Sequence, residues 1–173
     1  MSANERTLLE NRRFAVVERT VTRPDGQAAS VQFVRHPGSV AILPILDDGR
    51  ICLIRNRRLT VDKTLIEIPA GTREPDEEPL KTAHRELAEE TGYRARRMEE
   101  MVSYYPSPGI SSERMHLYVA RELTAGDTAR EANEEIENYL VTWDDAMALV
   151  ERGEIVDGKT ILALLLYKQG ESA

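Results

Sequence analysis

The chain has 173 residues, of which 41% are hydrophobic and 31% charged, a composition that fits one globular domain and excludes a chain disordered throughout. Its net charge of −7 argues against a nucleic-acid-binding protein, since such proteins present a basic surface to phosphates. No apolar run approaches the ~18 residues of a membrane span and residues 1–13 lack the apolar segment of a signal peptide, so a soluble cytoplasmic protein with no membrane partner is expected.

Strands are predicted for most of the first 70 residues, because short apolar and β-branched runs alternate with turn residues. Asp25 and Gly26 supply the turn of an N-terminal hairpin, and the last strand of this part ends at Gly71. The single cysteine, Cys52, lies in an apolar run and is predicted to be buried, which leaves neither a disulfide nor a cysteine-rich metal site. The predicted strands cover residues 12–22, 30–36, 40–46, 50–58 and 65–70.

A helix is predicted over residues 79–91, with Pro79 in its first turn and Gly92 just after its end. Its apolar stripe is expected to contain Leu80, Ala83 and Leu87. The remaining chain alternates irregularly between strands and helices, which disfavours a doubly wound parallel sheet and favours a mixed sheet with helices packed on its faces. Further strands are predicted over 97–105, 115–124 and 136–143, and further helices over 144–152 and 159–168.

Three glutamates share one face of the predicted helix. Glu86, Glu89 and Glu90 stand at positions i, i+3 and i+4, which places them within an arc of roughly 100°. Carboxylates so close together repel one another, and a divalent cation such as Mg²⁺, which prefers oxygen ligands, relieves that repulsion. The alternative is a solvated helix face on which Arg85 and Glu89 form an ordinary ion pair.

A wider pattern surrounds these glutamates and reads G-x5-E-x7-R-E-L-x-E-E-x-G, from Gly71 through Glu77 to Gly92. With this composition the pattern has a probability of roughly 10⁻⁵ of arising by chance in the chain. At these residues the sequence resembles the Nudix hydrolase family. The family pattern ends in a bulky aliphatic residue, where this chain has Tyr93, a departure that leaves the acidic positions untouched.

The resemblance implies an α/β/α sandwich of the Nudix type, with Gly71 opening a strand–loop–helix unit. It implies Mg²⁺, or Mn²⁺ in its place, held by the three helix glutamates, and attack by water at phosphorus. Arg85 and Glu89 are counted among the catalytic residues, and Glu77 supports Arg85. A bound cation would neutralise the negative charge of a diphosphate and lower the pKa of coordinated water.

Two further segments resemble one branch of the family, which comprises ADP-ribose pyrophosphatases and nucleoside-diphosphate-sugar hydrolases. These are EIPAG, at Glu67–Gly71, and YYPSPGISSE, in which Pro108 stands 15 residues after Tyr93. Read alone, SPG is a turn signal. The branch implies a metal-ligating carbonyl at Ala70 and an arginine on substrate phosphates, here Arg58, with Arg55 and Arg57 as alternatives. Glu67 and Pro108 are expected on the substrate side.

The family also implies a catalytic glutamate in a loop before the last strand, where this chain has REANEEIE. Glu134 is the predicted general base, Glu131 and Glu135 are alternatives, and a plain acidic surface loop is the competing interpretation. The match to the branch is approximate, since Ala132 stands at one acidic position of its pattern. By analogy, residues 1–37 are expected to be a hairpin extension that joins two subunits of a homodimer, and residues 38–173 the hydrolase domain.

These features together predict Mg²⁺-dependent hydrolysis of the diphosphate linkage of ADP-ribose or a related nucleoside diphosphate sugar. With ADP-ribose the products would be AMP and ribose 5-phosphate. Two alternatives stay open: a pyrophosphohydrolase of oxidised deoxynucleoside triphosphates, and a nucleotide-sugar sensor without turnover. No motif in the sequence selects the base, the sugar or the number of metal ions.

Overall fold

The computed structural model describes residues 5–130 and 135–171, which form three β-sheets and three helices. The strands are β1 Glu5–Glu10, β2 Ala15–Thr22, β3 Ala28–Arg35, β4 Ser39–Pro44, β5 Ile51–Arg58, β6 Lys63–Glu67, β7 Ala70–Thr72, β8 Tyr93–Tyr104, β9 Met115–Ala125 and β10 Ile136–Val141. The helices are α1 Pro79–Thr91, α2 Trp143–Glu151 and α3 Gly158–Glu171. Within these ranges, no helix is both long and apolar enough to cross a lipid bilayer.

The N-terminal strands form an antiparallel sheet of their own, in the order β1-β2-β3. The predicted hairpin is present as β2 and β3, and Gly26 in its turn has a positive φ of 82°. Strand β1 lies outside the predicted strands, because Glu5–Glu10 shows little alternation of apolar and polar residues. Its backbone is held in a strand by antiparallel pairing with β2.

The mixed sheet, in the order β7-β4-β9-β8, lies at the centre of the molecule, and a second sheet has the order β10-β5-β6. Strand β4 is buried at every position and runs parallel to β9. Its side chains alternate: Val40 and Ile42 belong to the core beneath α1, whereas Ala41 and Leu43 belong to the larger core that contains residues of α2 and α3. Helices thus cover both faces, as the prediction of an α/β/α sandwich requires.

Helix α1 has the predicted bounds and ends as predicted. Gly92 adopts the left-handed conformation with φ 79°, and its N–H donates to the carbonyl of Ala88. A side chain at this position would also collide with the backbone carbonyl of Gly126, so glycine is required twice over. Ala83 and Leu87 are fully buried and Tyr93 packs against the same core, where it replaces the aliphatic residue of the family pattern.

Two local predictions are corrected by the structure. Leu80 does not join the buried stripe of α1: it is 45% exposed, and Thr82, Thr91 and Glu90 are buried on this helix instead. The single strand predicted over residues 65–70 is two strands, β6 and β7, because β6 pairs with β5 while β7 crosses to pair with β4. Cys52 is fully buried as predicted.

Candidate active site

Arg85 holds the acidic residues of α1 in place. Its guanidinium donates to Glu77 Oε2 at 2.9 Å, to Glu86 Oε1 at 2.7 Å and to Glu89 Oε2 at 3.0 Å. The hydrogen bond from Arg85 lowers the pKa of Glu77 to about 2, against the opposing effect of burial. The hydrogen bond to Glu77, together with the charge of Glu86, raises the pKa of Arg85, so the guanidinium stays charged.

The loop before α1 approaches the helix glutamates through its backbone. Glu90 is only 3% exposed, and its Oε2 accepts a hydrogen bond of 3.0 Å from the N–H of Ala70. Gly71 lies directly against the carboxyl group of Glu86, and a side chain at position 71 would occupy the same space. The segment EIPAG therefore brings backbone groups within reach of the acidic side chains. Position 71 is a glycine because a side chain there would overlap Glu86.

The oxygen atoms of these residues are of the type that binds a hard divalent cation. Glu86, Glu89, Glu90 and Ala70 line one cavity, and carboxylate and carbonyl oxygens are the ligands that Mg²⁺ takes. In the arrangement of residues 5–130 and 135–171, however, no three acidic, histidine or cysteine side chains converge tightly enough to hold an ion. Arg85 bonds Glu86 and Glu89, and the Ala70 amide bonds Glu90, so a cation would compete with these partners.

A second charged group consists of Glu67, Arg58 and Lys159, of which Arg58 and Lys159 line the same cavity. Glu67 is 1% exposed, and each of its oxygens accepts a hydrogen bond from Arg58, at 2.8 Å from Nε and 2.6 Å from Nη2. Lys159, at the start of α3, donates to Glu67 Oε2 at 2.7 Å and to Asp157 at 2.9 Å. Burial raises the pKa of Glu67, but Arg58 and Lys159 outweigh it and hold that pKa below its ordinary value.

The cavity has a volume of about 400 Å³ and joins these two groups. Among the described residues that line it, six are basic and five acidic, although the chain as a whole carries a charge of −7. Several of these charged residues were not among the predicted site residues, because they stand at positions to which the quoted patterns give no role or lie outside those patterns altogether. The charged lining residues missed in this way are Arg12, Arg13, Arg73, Glu74, Glu113 and Lys159.

The structure separates Arg58 from its two alternatives. Arg58 lines the cavity, whereas Arg55 and Arg57 line a different groove together with Glu135. Arg55 stacks over the ring of Tyr139 at 4.2 Å, and Arg57 pairs with Asp62. The alternation of side chains along β5 accounts for the separation, since positions 55 and 57 share one face of the strand.

The remaining predicted site residues lie elsewhere. Pro108 is exposed in the loop between β8 and β9, outside the residues that line the cavity, and this loop bonds to β3 through Val34. Glu134, the predicted general base, and Glu131 lie outside the described residues. The segment that leads to them is anchored on α1, because Ala129 N donates to the Glu89 carbonyl and Arg130 donates to the Glu90 carbonyl.

Known proteins resemble this chain in sequence and in fold. The sequence model of the NUDIX domain matches residues 35–164. The chain is 42% identical over 146 residues to an ADP-ribose pyrophosphatase of Bacillus subtilis, covering 83% of this chain and 79% of that protein. It is 38% identical, with the same coverage, to a methanol dehydrogenase activator of Bacillus methanolicus. A crystal structure described as an ADP compounds hydrolase superimposes with a TM-score of 0.82 at 23% identity, covering 96% of this chain and 91% of the other, which supports the fold.

Proposed function

The chain belongs to the NUDIX family. We propose that it hydrolyses the diphosphate linkage of ADP-ribose or a related nucleoside diphosphate sugar, releasing a nucleoside monophosphate and a sugar phosphate. The resemblance seen in the glutamate pattern and the expectation of an enzyme of this family are confirmed. ADP-ribose is the substrate we favour, because a relative with 42% identity is named for it.

One observation carries this proposal: the acidic residues of α1 line the same cavity as the two cations Arg58 and Lys159. A diphosphate brings two adjacent negative groups, which cations have to neutralise before a nucleophile can approach phosphorus. Arg58, Lys159, Arg12 and Arg13 offer positive charge in the cavity of an otherwise acidic chain. The cavity therefore suits a substrate that carries its charge on linked phosphates.

We assign a divalent cation, Mg²⁺ with Mn²⁺ as a substitute, to Glu86, Glu89, Glu90 and the carbonyl of Ala70. When bound, such a cation neutralises phosphate charge and makes coordinated water more acidic. Arg85 contributes by orienting Glu86 and Glu89 through its fixed donor fork.

Glu134 is our choice for the general base that removes the proton from the attacking water, with Glu131 and Glu135 as alternatives. A base has to come within hydrogen-bond reach of that water. Support comes from Ala129 and Arg130, which bind the backbone of α1 at Glu89 and Glu90 and so begin the acidic segment beside the helix glutamates.

We further propose that the protein is a cytoplasmic homodimer that pairs through its N-terminal sheet. Strand β1 is an edge strand of that sheet, and Leu8 and Leu9 on it are 42% and 53% exposed. An exposed edge with apolar side chains is suited to a second chain. Sedimentation equilibrium at micromolar concentration should give twice the mass of the chain; the mass of a single chain would contradict this part.

Product analysis tests the reaction. Purified protein is incubated with ADP-ribose, GDP-mannose, UDP-glucose and 8-oxo-dGTP in parallel, with Mg²⁺ and with EDTA, and the products are separated by chromatography. We expect metal-dependent release of AMP and ribose 5-phosphate from ADP-ribose. Faster cleavage of another sugar nucleotide would keep the reaction and change the substrate. Cleavage of 8-oxo-dGTP alone would contradict the substrate class, and the absence of any turnover would favour a sensor.

A further inference from the structure

Lys159 stands at the cavity although nothing in the glutamate pattern or its neighbouring segments includes it. It lies 92 residues after Glu67 in the chain, yet its ammonium group donates to Glu67 and to Asp157. Its side chain is 10% exposed, and the residue lines the cavity. An ammonium has three N–H donors, of which these two hydrogen bonds use two.

Glu67 joins Lys159 to Arg58. Both cations donate to this one buried carboxylate, and Arg58 uses Nε and Nη2 for it. A guanidinium has five N–H donors in a planar fork, so the Nη1 edge of Arg58 is directed away from Glu67. The side chain of Arg58 is 36% exposed, whereas that of Glu67 is 1% exposed. The carboxylate is thus enclosed, and the two cations it holds reach the cavity.

One short segment sets the position of this group relative to the acidic residues of α1. Glu67 binds the two cations, the N–H of Ile68 donates to Thr160 Oγ1 at 2.9 Å, and the N–H of Ala70 donates to Glu90. Asp157 completes the attachment, because it accepts from the backbone N–H of Thr160 and from Lys159. Residues 67–70 therefore tie the start of α3 and the acidic face of α1 to a single stretch of backbone.

We propose that Lys159 joins Arg58, the arginine already expected on the substrate phosphates, in a phosphate clamp on the diphosphate, and that Glu67 is a positioning residue that holds the clamp without touching substrate. The inference rests on the proposed function, since it names further groups for that substrate. Glu67 was expected to contact substrate, and the clamp gives it a different role. Its enclosed carboxylate would repel a phosphate, but it fixes the spacing of the two cations. Two charged donors at fixed spacing suit two linked phosphates better than one.

The test compares Lys159→Met, which keeps the length of the side chain and removes its charge, with Lys159→Arg. Lys168→Met is the matched control, because Lys168 lies on the same helix, is exposed and does not line the cavity. Two quantities are measured on the full chain: KM and kcat for ADP-ribose with Mg²⁺, and the Kd of ADP-ribose in EDTA by calorimetry. Thermal melts verify that each variant is folded.

For Lys159→Met we expect KM and Kd to rise roughly tenfold or more, with kcat changed far less, because a charge-assisted hydrogen bond to the bound phosphates is lost. Lys159→Arg restores most of the affinity, since it returns a cation that reaches both Glu67 and the phosphate. A purely structural lysine would lower the melting temperature but leave the Kd of the folded fraction as in Lys168→Met, and that result would overturn the clamp.

Failure of the clamp is distinguishable from failure of the proposed function. If no variant, including the wild type, hydrolyses ADP-ribose, the reaction is wrong, and the Kd in EDTA still decides whether Lys159 contacts the ligand. If the wild type hydrolyses ADP-ribose while Lys159→Met retains its KM and Kd, the clamp is wrong and the reaction stands.

Discussion

A methyl group at position 71 would overlap the carboxyl group of Glu86, because the backbone of Gly71 lies directly against that side chain. The three atoms nearest to such a methyl group all belong to the end of the flexible Glu86 side chain. Gly71→Ala should therefore fold, with a melting temperature within a few degrees of the wild type, and displace the Glu86 carboxylate from its present position. Glu86 then has to leave its contact with Arg85, and the acidic face of α1 is disturbed.

We expect Gly71→Ala to lower kcat for ADP-ribose by roughly a hundredfold, because a misplaced ligand group disturbs the geometry that hydrolysis needs. The measurement is steady-state AMP release together with a thermal melt. Gly170→Ala is the control, since a Cβ added there meets nothing within 4 Å beyond its chain neighbours and the backbone of its own helix, and the residue does not line the cavity. Wild-type turnover by Gly71→Ala would contradict the role of Glu86.

Glu90→Gln tests the metal assignment. Glutamine keeps an acceptor for the N–H of Ala70 at this buried position, so the variant should fold. The negative charge is lost, and hydrolysis should fall at least a hundredfold while binding of Mn²⁺, followed by its electron paramagnetic resonance signal, weakens. Glu151→Gln, exposed on α2, should change neither quantity. Unchanged Mn²⁺ affinity in Glu90→Gln would argue against Glu90 as a ligand.

Glu77 should make stability depend on pH in the acid range. Its pKa in the folded protein is about 2, below the ordinary value of 4.5, because Arg85 hydrogen-bonds to the carboxylate. A lowered pKa contributes stability that is complete above pH 4.5 and is lost as the pH falls toward 2. Urea unfolding of Glu77→Gln should therefore show a deficit of about 1–3 kcal/mol at pH 6 that shrinks steadily below pH 4.5. A deficit that stays constant from pH 6 to pH 2.5 would contradict this origin.

The thiol of Cys52 should be unreactive in the folded protein. The side chain is fully buried in β5, and burial raises the pKa of its thiol to about 12, so that almost no thiolate forms at pH 8. We expect no reaction with Ellman's reagent within an hour and one thiol per chain after unfolding in guanidinium. Rapid labelling of the native protein would show that β5 opens far more easily than its packing indicates.

The general base is tested by three single substitutions in the acidic segment. Glu134→Gln should lower kcat by at least a hundredfold with little change in Mn²⁺ affinity, because the base acts on water and is not assigned to the metal. Glu131→Gln and Glu135→Gln serve as controls of the same chemistry, three residues before and one residue after Glu134. If one of these proves the more damaging variant, the base is that residue and our register along the segment is wrong.

Local rules were sufficient for the helix and its acidic face. The bounds of α1, its glycine cap and the common face of Glu86, Glu89 and Glu90 follow from helical periodicity and capping, both of which act within a few residues. The same rules wrongly predicted that Leu80 belongs to the buried stripe of α1. Periodicity shows which residues share a helix face, but it does not show which of them a neighbouring element covers.

Which distant residues meet depends on how the folded chain packs. Glu67 was expected to contact substrate, and its enclosure between Arg58 and Lys159 depends on α3 packing beside β6, across 92 residues of chain. Likewise the turn between β1 and β2 brings Arg12 and Arg13 to the cavity, and strand alternation turns Arg58 toward it and Arg57 away. Local spacing along the chain was enough to predict the hydrolase family and the acidic helix, because both depend on residues close together in sequence. The cation set around the acidic residues depends on long-range packing, which local spacing does not encode.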